Sequence, residues 1–230
     1  MHKICIPEGA LQVVAARRGG APVFPDLAGS KTALVVIDLQ NAFMLPGMPM
    51  ELPHARDIVG NVNRLAAATR DAGGCVIWVR INFAGQRESW SVWFERLMSP
   101  QVSESMIAAL SPGDPGFELH RALDVHAEDV VLDKTRFSAF APGSSEIETV
   151  LRARGIDTLV IAGALTNTCC ESTARDAMMR NYRVLVVADA NATRSDEEHN
   201  AALANVARVF GEVVMTDDVV KRLAASRPPG

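Results

Sequence analysis

The sequence predicts an α/β fold, a parallel sheet with helices on both faces. Two observations carry this. Six short apolar runs rich in β-branched residues recur along the chain, and segments of helical periodicity separate most of them. The runs are continuous rather than alternating, as in strands buried on both sides.

The first thirty residues mix a short helical pattern with Gly and Pro and read as an arm that packs on the core or on a neighbouring subunit. The first strand is "TALVVIDLQ", which reaches Asp38. The helical pattern "DIVGNVNRLAAATRDAG" leads into the second, "GCVIWVRI". The third, "DVVLDK", ends at Lys134. "SSEIETVLRARGI" leads to the fourth, "DTLVIAG", and a helix beginning near Cys169 leads to the fifth, "RVLVVADA". "DEEHNAALANVARVF" leads to the sixth, "EVVMT". Crossovers between parallel neighbours are expected to be right-handed. Residues 82–128 break the rhythm. They read as a long excursion, with one or two short helices, that covers an active site or a subunit interface. No repeat, low-complexity tract or linker marks a boundary, so residues 1–230 read as one domain.

The bulk numbers narrow the function. A chain of 230 residues, 48% hydrophobic, can bury a substantial core. A net charge of −4 speaks against nucleic acid or an anionic membrane as partner and leaves a small molecule. No segment has the length and apolarity of a membrane span, and "MHKICIPEGALQVVAARRGG" lacks the h-region of a signal peptide. Four cysteines without regular spacing suggest no disulfide framework, so a reduced, cytoplasmic protein is expected.

Ligands of open α/β sheets bind beyond the C-terminal ends of the strands. The first strand delivers Asp38, then Gln40, Asn41 and Phe43. The second delivers Arg80 and Asn82, and the third Lys134, Arg136 and Phe137. The fourth delivers Gly163 and the turn to Cys169, and the fifth Asp189, Asn191 and Thr193. Asp38, Lys134 and Cys169 together form a catalytic set. A helix N-terminus, with Thr166 or Asn167 as cap, and a nearby Lys both favour a thiolate. Asp38 can take the thiol proton and return it to a leaving amine. Freed N–H groups at the helix start suit an oxyanion. Taken singly, each residue has a plainer reading: a capping aspartate, a surface lysine, a buried cysteine.

Cys169 and Cys170 are adjacent, and periodicity separates them. Residues 170, 174, 177 and 178 share one helical face of Cys, Ala, Ala and Met, which suits packing on the sheet. Cys169 falls about 100° away on a helix of 3.6 residues per turn and is the better nucleophile. A papain-like pairing of Cys169 with His199 is disfavoured, because His199 lies in the polar start of a helix.

"ALVVIDLQNAF", "DKTRFSAF" and "GALTNTCCESTARDAMMRNYRVLVVADA" together resemble the isochorismatase-like cysteine hydrolases, over about residues 31–216. The resemblance implies a Rossmann-like three-layer α/β/α fold around a six-stranded parallel sheet. It implies an Asp–Lys–Cys triad of Asp38, Lys134 and Cys169, the last being the fourth residue of the family's "T-N/D-x-C" pattern. It also implies a cis peptide at Ala164–Leu165, with the Leu165 and Cys169 N–H groups as oxyanion hole, and a homodimer or homotetramer. Nicotinamidases of the family carry a metal on an Asp and paired histidines. The corresponding "MPMELPHARD" has only His54, so no metal is expected, and no cofactor.

The complete triad points to hydrolysis of an amide, ureido or carbamoyl C–N bond, with ureidoacrylate, biuret, N-carbamoylsarcosine and streptothricin hydrolases as analogies. The alternatives are a vinyl-ether substrate, as in isochorismatases proper, and a catalytically silent binding or assembly role. A redox role for the two thiols lacks C-x-x-C spacing, and no G-x-G-x-x-G follows a strand to bind a dinucleotide. Asn41, Arg80 and Arg136 are the candidates to meet a substrate carboxylate or carbonyl, and Phe43, Trp90 and Trp93 to wall its pocket.

Overall fold

The first apolar run forms β1 (Thr32–Ile37), in which every residue is buried. It lies at the centre of a six-stranded sheet, described here from a computed structural model that covers residues 1–19 and 22–226. Gly20 and Ala21 of the expected arm, and residues 227–230, lie outside the described residues. The other strands are β2 (Cys75–Ile81), β3 (Val130–Lys134), β4 (Thr158–Ala164), β5 (Arg183–Ala192) and β6 (Glu212–Val214). All pairings are parallel, in the order β3-β2-β1-β4-β5-β6. The six predicted runs are these six strands. β4, like β1, is buried throughout, whereas β3 is half-exposed because it closes one edge.

The helices are α1 (Glu8–Arg18), α2 (Asn41–Met44), α3 (Pro53–Asp57), α4 (Val59–Asp71), α5 (Pro100–Ala109), α6 (Ile147–Ala153), α7 (Glu171–Met179), α8 (Asp196–Asn205) and α9 (Thr216–Ala225). The connections β1→β2 and β4→β5 run in opposite directions along the sheet. With right-handed crossovers this puts α4 and α7 on opposite faces. α4 packs on β1 and β2 and against α9, while α7 packs on β5. The result is a three-layer α/β/α sandwich. Among the described residues, no helix is long and apolar enough to cross a membrane.

The strand order reverses at β1 and β4, which is where open sheets bind ligands. Gly163 lets the two strands end close together there. It pairs with Ile37 and has φ +121°, and a Cβ on it meets the Ile37 carbonyl oxygen at 2.1 Å. No other side chain fits that conformation and that gap. Beyond β2, the segment from Asn82 folds into a π-helical turn (Val92–Arg96), α5 and a 3₁₀ turn (Pro115–Phe117). Buried Gln40 ties this segment to the sheet: its Nε2 donates to Ile81 O at 3.1 Å and Phe117 O at 2.9 Å, and its Oε1 accepts from Ile81 N at 2.8 Å. The N-terminal arm lies on its own chain, α1 packing against α8 and the turn that follows it, residues 206–210.

Candidate active site

Asp38 follows the last residue of β1 with φ 53°, in the left-handed region that aspartate tolerates better than most residues. Its N–H donates to Val79 O at 2.8 Å, so the turn keeps its tie to β2. Lys134 ends β3, two strands away. Register explains how it arrives. Ile81 pairs with Lys134, and Arg80 with Asp133. Alternate residues face opposite sides of a sheet. Lys134 thus shares a side with Ile81, while Arg80 and Asp133 share the other. The Lys134 stem spans β2, and Nζ donates to Asp38 Oδ2 at 2.8 Å and to Arg136 O at 3.2 Å. Both side chains are 0% exposed. Asp38 Oδ1 is also buried and lacks a hydrogen-bond partner of ordinary geometry among the described residues.

The Ala164–Leu165 peptide is cis. After it, residues 166–170 form a π-helical turn that runs into α7. Leu165 O accepts from the N–H groups of Thr168 and Cys170, both at 3.1 Å, whereas the Leu165 N–H finds no backbone acceptor among the described residues. The two cysteines separate as periodicity predicts. Cys170 is wholly buried in the core with Ala174 and Ala177. Cys169 lines a cavity.

The expected cap is absent. The Thr166 and Asn167 side chains are used sideways, toward α8, instead of along the helix axis. Thr166 Oγ1 meets His199 Nδ1 at 2.9 Å, and Asn167 Nδ2 donates to Glu198 Oε2 at 3.3 Å. Thr193 Oγ1 closes the network by donating to Asn167 Oδ1 at 2.6 Å. His199 is therefore a fully buried structural residue rather than a surface one. Burial, assisted by the neighbouring His2, lowers its pKa to about 4.

The thiol also departs from expectation. Burial first, and then the charge of Asp38, push the Cys169 pKa far above the ordinary thiol value, and Lys134 offsets only part of this. The resting group is the thiol, not the thiolate. Burial also raises Asp38 despite the pull of Lys134, which makes its carboxylate a stronger base. Burial alone acts to lower the Lys134 pKa, but Asp38 and Cys169 outweigh it, and the ammonium stays charged.

The cavity beside Cys169 has a volume of about 340 Å³. Phe43, Met50, Phe83, Trp93, Phe137 and Leu165 supply much of its apolar wall, and residues of the 82–128 segment (Met98, Val102 and Met106) close one side. Of the sequence-derived pocket residues, Phe43 and Trp93 are present. Asn41, Arg80, Trp90 and Arg136 are not among the lining residues. Asn41 Nδ2 donates to Pro115 O at 2.9 Å. Arg80 pairs with Asp133 at 2.9 Å and lies over the Phe117 ring, because the alternation of β2 turns it away from Ile81. Arg136 lies over the Trp90 ring and donates to Gln86 Oε1 at 3.0 Å, and both line a separate open groove. Asp189 and Asn191 are structural. Asp189 Oδ1 accepts from Thr216 N at 2.8 Å, and Asn191 Nδ2 donates to Ile161 O at 2.9 Å across a register shift between β4 and β5.

The residue missed from sequence is Arg194. Among the described residues that line the cavity it is the charged one; it is exposed, and no ion pair or hydrogen bond joins it to another described residue. It directly follows Thr193, the last of the residues that the fifth strand delivers.

The isochorismatase domain family matches residues 32–218. The chain belongs to the isochorismatase family of hydrolases. Within this family it is 33% identical over 216 residues to ureidoacrylate amidohydrolase RutB of Methylobacterium radiotolerans, covering 86% of this chain and 83% of the relative. It is 30% identical over 196 residues to maleamate amidohydrolase of Pseudomonas putida, covering 85% and 88%. A cysteine hydrolase from Pseudomonas syringae pv. phaseolicola superposes on it with a TM-score of 0.78 at 31% identity, over 87% of this chain and 95% of that one. The three motifs read from sequence all fall within the span that defines this isochorismatase-family hydrolase, whereas the arm before residue 32 lies outside it. Among its described residues, no group of three or more His, Cys, Asp or Glu side chains is placed to hold a metal ion.

Proposed function

We propose that this hydrolase is a cysteine-dependent amidohydrolase that cleaves the C–N bond of a small amide, ureido or carbamoyl compound bearing a carboxylate. The observation that carries the reading is the buried Asp38–Lys134 pair, both members of which interact with Cys169, itself at the wall of an apolar cavity. Asp38 accepts the Cys169 proton as Sγ attacks the substrate carbonyl carbon. The charged Lys134 steadies the anionic centre while that proton moves. The N–H groups of Leu165 and Cys169 receive the oxyanion. Asp38 then returns the proton to the departing nitrogen, the C–N bond breaks, and a thioester remains. Water attacks the thioester, and Cys169 leaves with its proton restored.

Arg194 gives the substrate its second feature. An unpaired guanidinium at an apolar cavity is suited to a carboxylate, which it can hold bidentately. The relatives named for ureidoacrylate and maleamate act on compounds that combine an amide-type nitrogen with a carboxylate, and this reading places the present substrate in the same chemical class.

The test is ammonia release from a panel of small amides, ureido acids and carbamoyl compounds, with and without a carboxylate, by the native chain, Cys169→Ser and Cys170→Ser. Loss in Cys169→Ser with retention in Cys170→Ser is expected. Equal turnover by all three removes the acyl-enzyme mechanism. Equal turnover of acids and their neutral analogues removes the role of Arg194.

A further inference from the structure

Arg194 stands on a short loop whose backbone is held from outside the family-matched span. Thr193, its neighbour, is buried, and its N–H donates to the His2 ring nitrogen Nε2 at 3.0 Å. The other ring nitrogen, Nδ1, lies 2.8 Å from Asp196 Oδ1 at the start of α8. Nε2 therefore accepts and Nδ1 donates, so each edge of the ring has one partner. The ring is also stacked on that of His199, with centroids 4.5 Å apart, and meets the tilted ring of His54 at 4.3 Å. Its side chain is 1% exposed. His199 in turn contacts Thr166, at the head of the turn that carries Cys169.

We propose that His2 is a positioning residue that sets where Arg194 stands relative to Cys169. The chain of contact is short: His2 holds the Thr193 backbone, and Arg194 is the next residue. Without the ring, the Thr193 N–H is a buried donor with no partner, a state that folded chains avoid. The loop then shifts to find water, and the guanidinium moves with it. Orientation of the charge, rather than the chemistry at sulfur, is what His2 controls. The inference rests on the assignment of Arg194 to the substrate carboxylate.

The test separates the two claims and needs no knowledge of the natural substrate. Iodoacetate and iodoacetamide alkylate the same thiol, but only iodoacetate carries the charge that Arg194 recognises. The rate of each reaction at Cys169 is followed by mass spectrometry, which distinguishes it from the exposed Cys5. The readout is the ratio of the iodoacetate rate to the iodoacetamide rate. Loss of one charged contact lowers the ratio about tenfold in Arg194→Ala. A displaced rather than deleted guanidinium lowers it about threefold or more in His2→Ala. Gln carries both an acceptor and a donor, so His2→Gln is expected to restore most of the native ratio. A native ratio in His2→Ala, with a lowered ratio in Arg194→Ala, overturns the role of His2 and leaves Arg194 standing. An unchanged ratio in Arg194→Ala removes both. Equal slowing of the two reagents in His2→Ala also overturns the proposal, because it reports general damage to the Cys169 site instead of a displaced charge.

Discussion

Lys134 Nζ donates to Asp38 Oδ2 at 2.8 Å across the width of an intervening strand, and neither side chain reaches solvent. Such a pair is costly to bury and costlier to break. Lys134→Met leaves a lone buried carboxylate and is expected to lose about 3–5 kcal/mol of stability. The double variant Asp38→Leu/Lys134→Met removes both charges and is expected to be more stable than Lys134→Met alone. Urea unfolding of the single and double variants completes the cycle, and additive losses contradict it.

Asp38→Asn keeps the shape of the side chain and removes the proposed base. Turnover is expected to fall by about 10²–10⁴-fold, the usual contribution of one proton-transfer group. Measured kcat against an accepted substrate checks this. A tenfold loss or less points to another base.

Arg194→Ala is expected to raise KM for a carboxylate-bearing substrate about 10–100-fold, the weight of a charge-assisted contact of about 1.5–3 kcal/mol. KM for the corresponding neutral amide is expected to stay within about twofold, since the cavity wall is otherwise unchanged. Parallel steady-state kinetics on the acid and its neutral analogue decide the matter.

Burial lowers the His199 pKa to about 4, against about 6.5 in an unfolded chain. In that window the unfolded chain binds a proton that the folded one does not. Stability therefore falls as pH drops from about 6.5 to 4, by up to about 3 kcal/mol from this group. Denaturant unfolding of the native chain and His199→Gln at pH 7 and pH 4 isolates the difference. The variant, with no imidazole to charge, is expected to lose less.

Gly163→Ala is expected to unfold the protein or to cost more than about 4 kcal/mol, the exceptional range for one substitution. The added methyl meets backbone rather than a movable side chain, 2.1 Å from Ile37 O, at φ +121°. A thermal melt within a few degrees of the native value contradicts this.

The sheet was legible because its strands are continuous apolar runs, and continuity is what two-sided burial demands. Asp38 and Lys134 were legible for the same reason: each stands where a strand leaves the core. Helical period and the family's "T-N/D-x-C" pattern both favour Cys169 over Cys170, and of the two it is Cys169 that lines the cavity. The lining of the cavity was less legible. Arg80 and Arg136 are charges near strand ends, but side-chain direction depends on pairing register, and register brings Asp133 beside Arg80. Arg194 sits on a loop with no period to read. His199 looked polar because its sequence neighbours Asp196, Glu197 and Glu198 are polar, although the helix turns that one ring inward. His2 has no local signal at all, because its partners are Thr193 and Asp196, far along the chain.

Cys169 keeps its proton at rest because burial and the Asp38 carboxylate disfavour the anion. Peroxide and disulfides react with thiolates, not with thiols. On the proposed mechanism, the Cys169 proton leaves only as a substrate carbonyl arrives. On the same mechanism an empty site holds its sulfur protonated, and reagents that need a thiolate, oxidants included, are expected to reach it slowly rather than not at all.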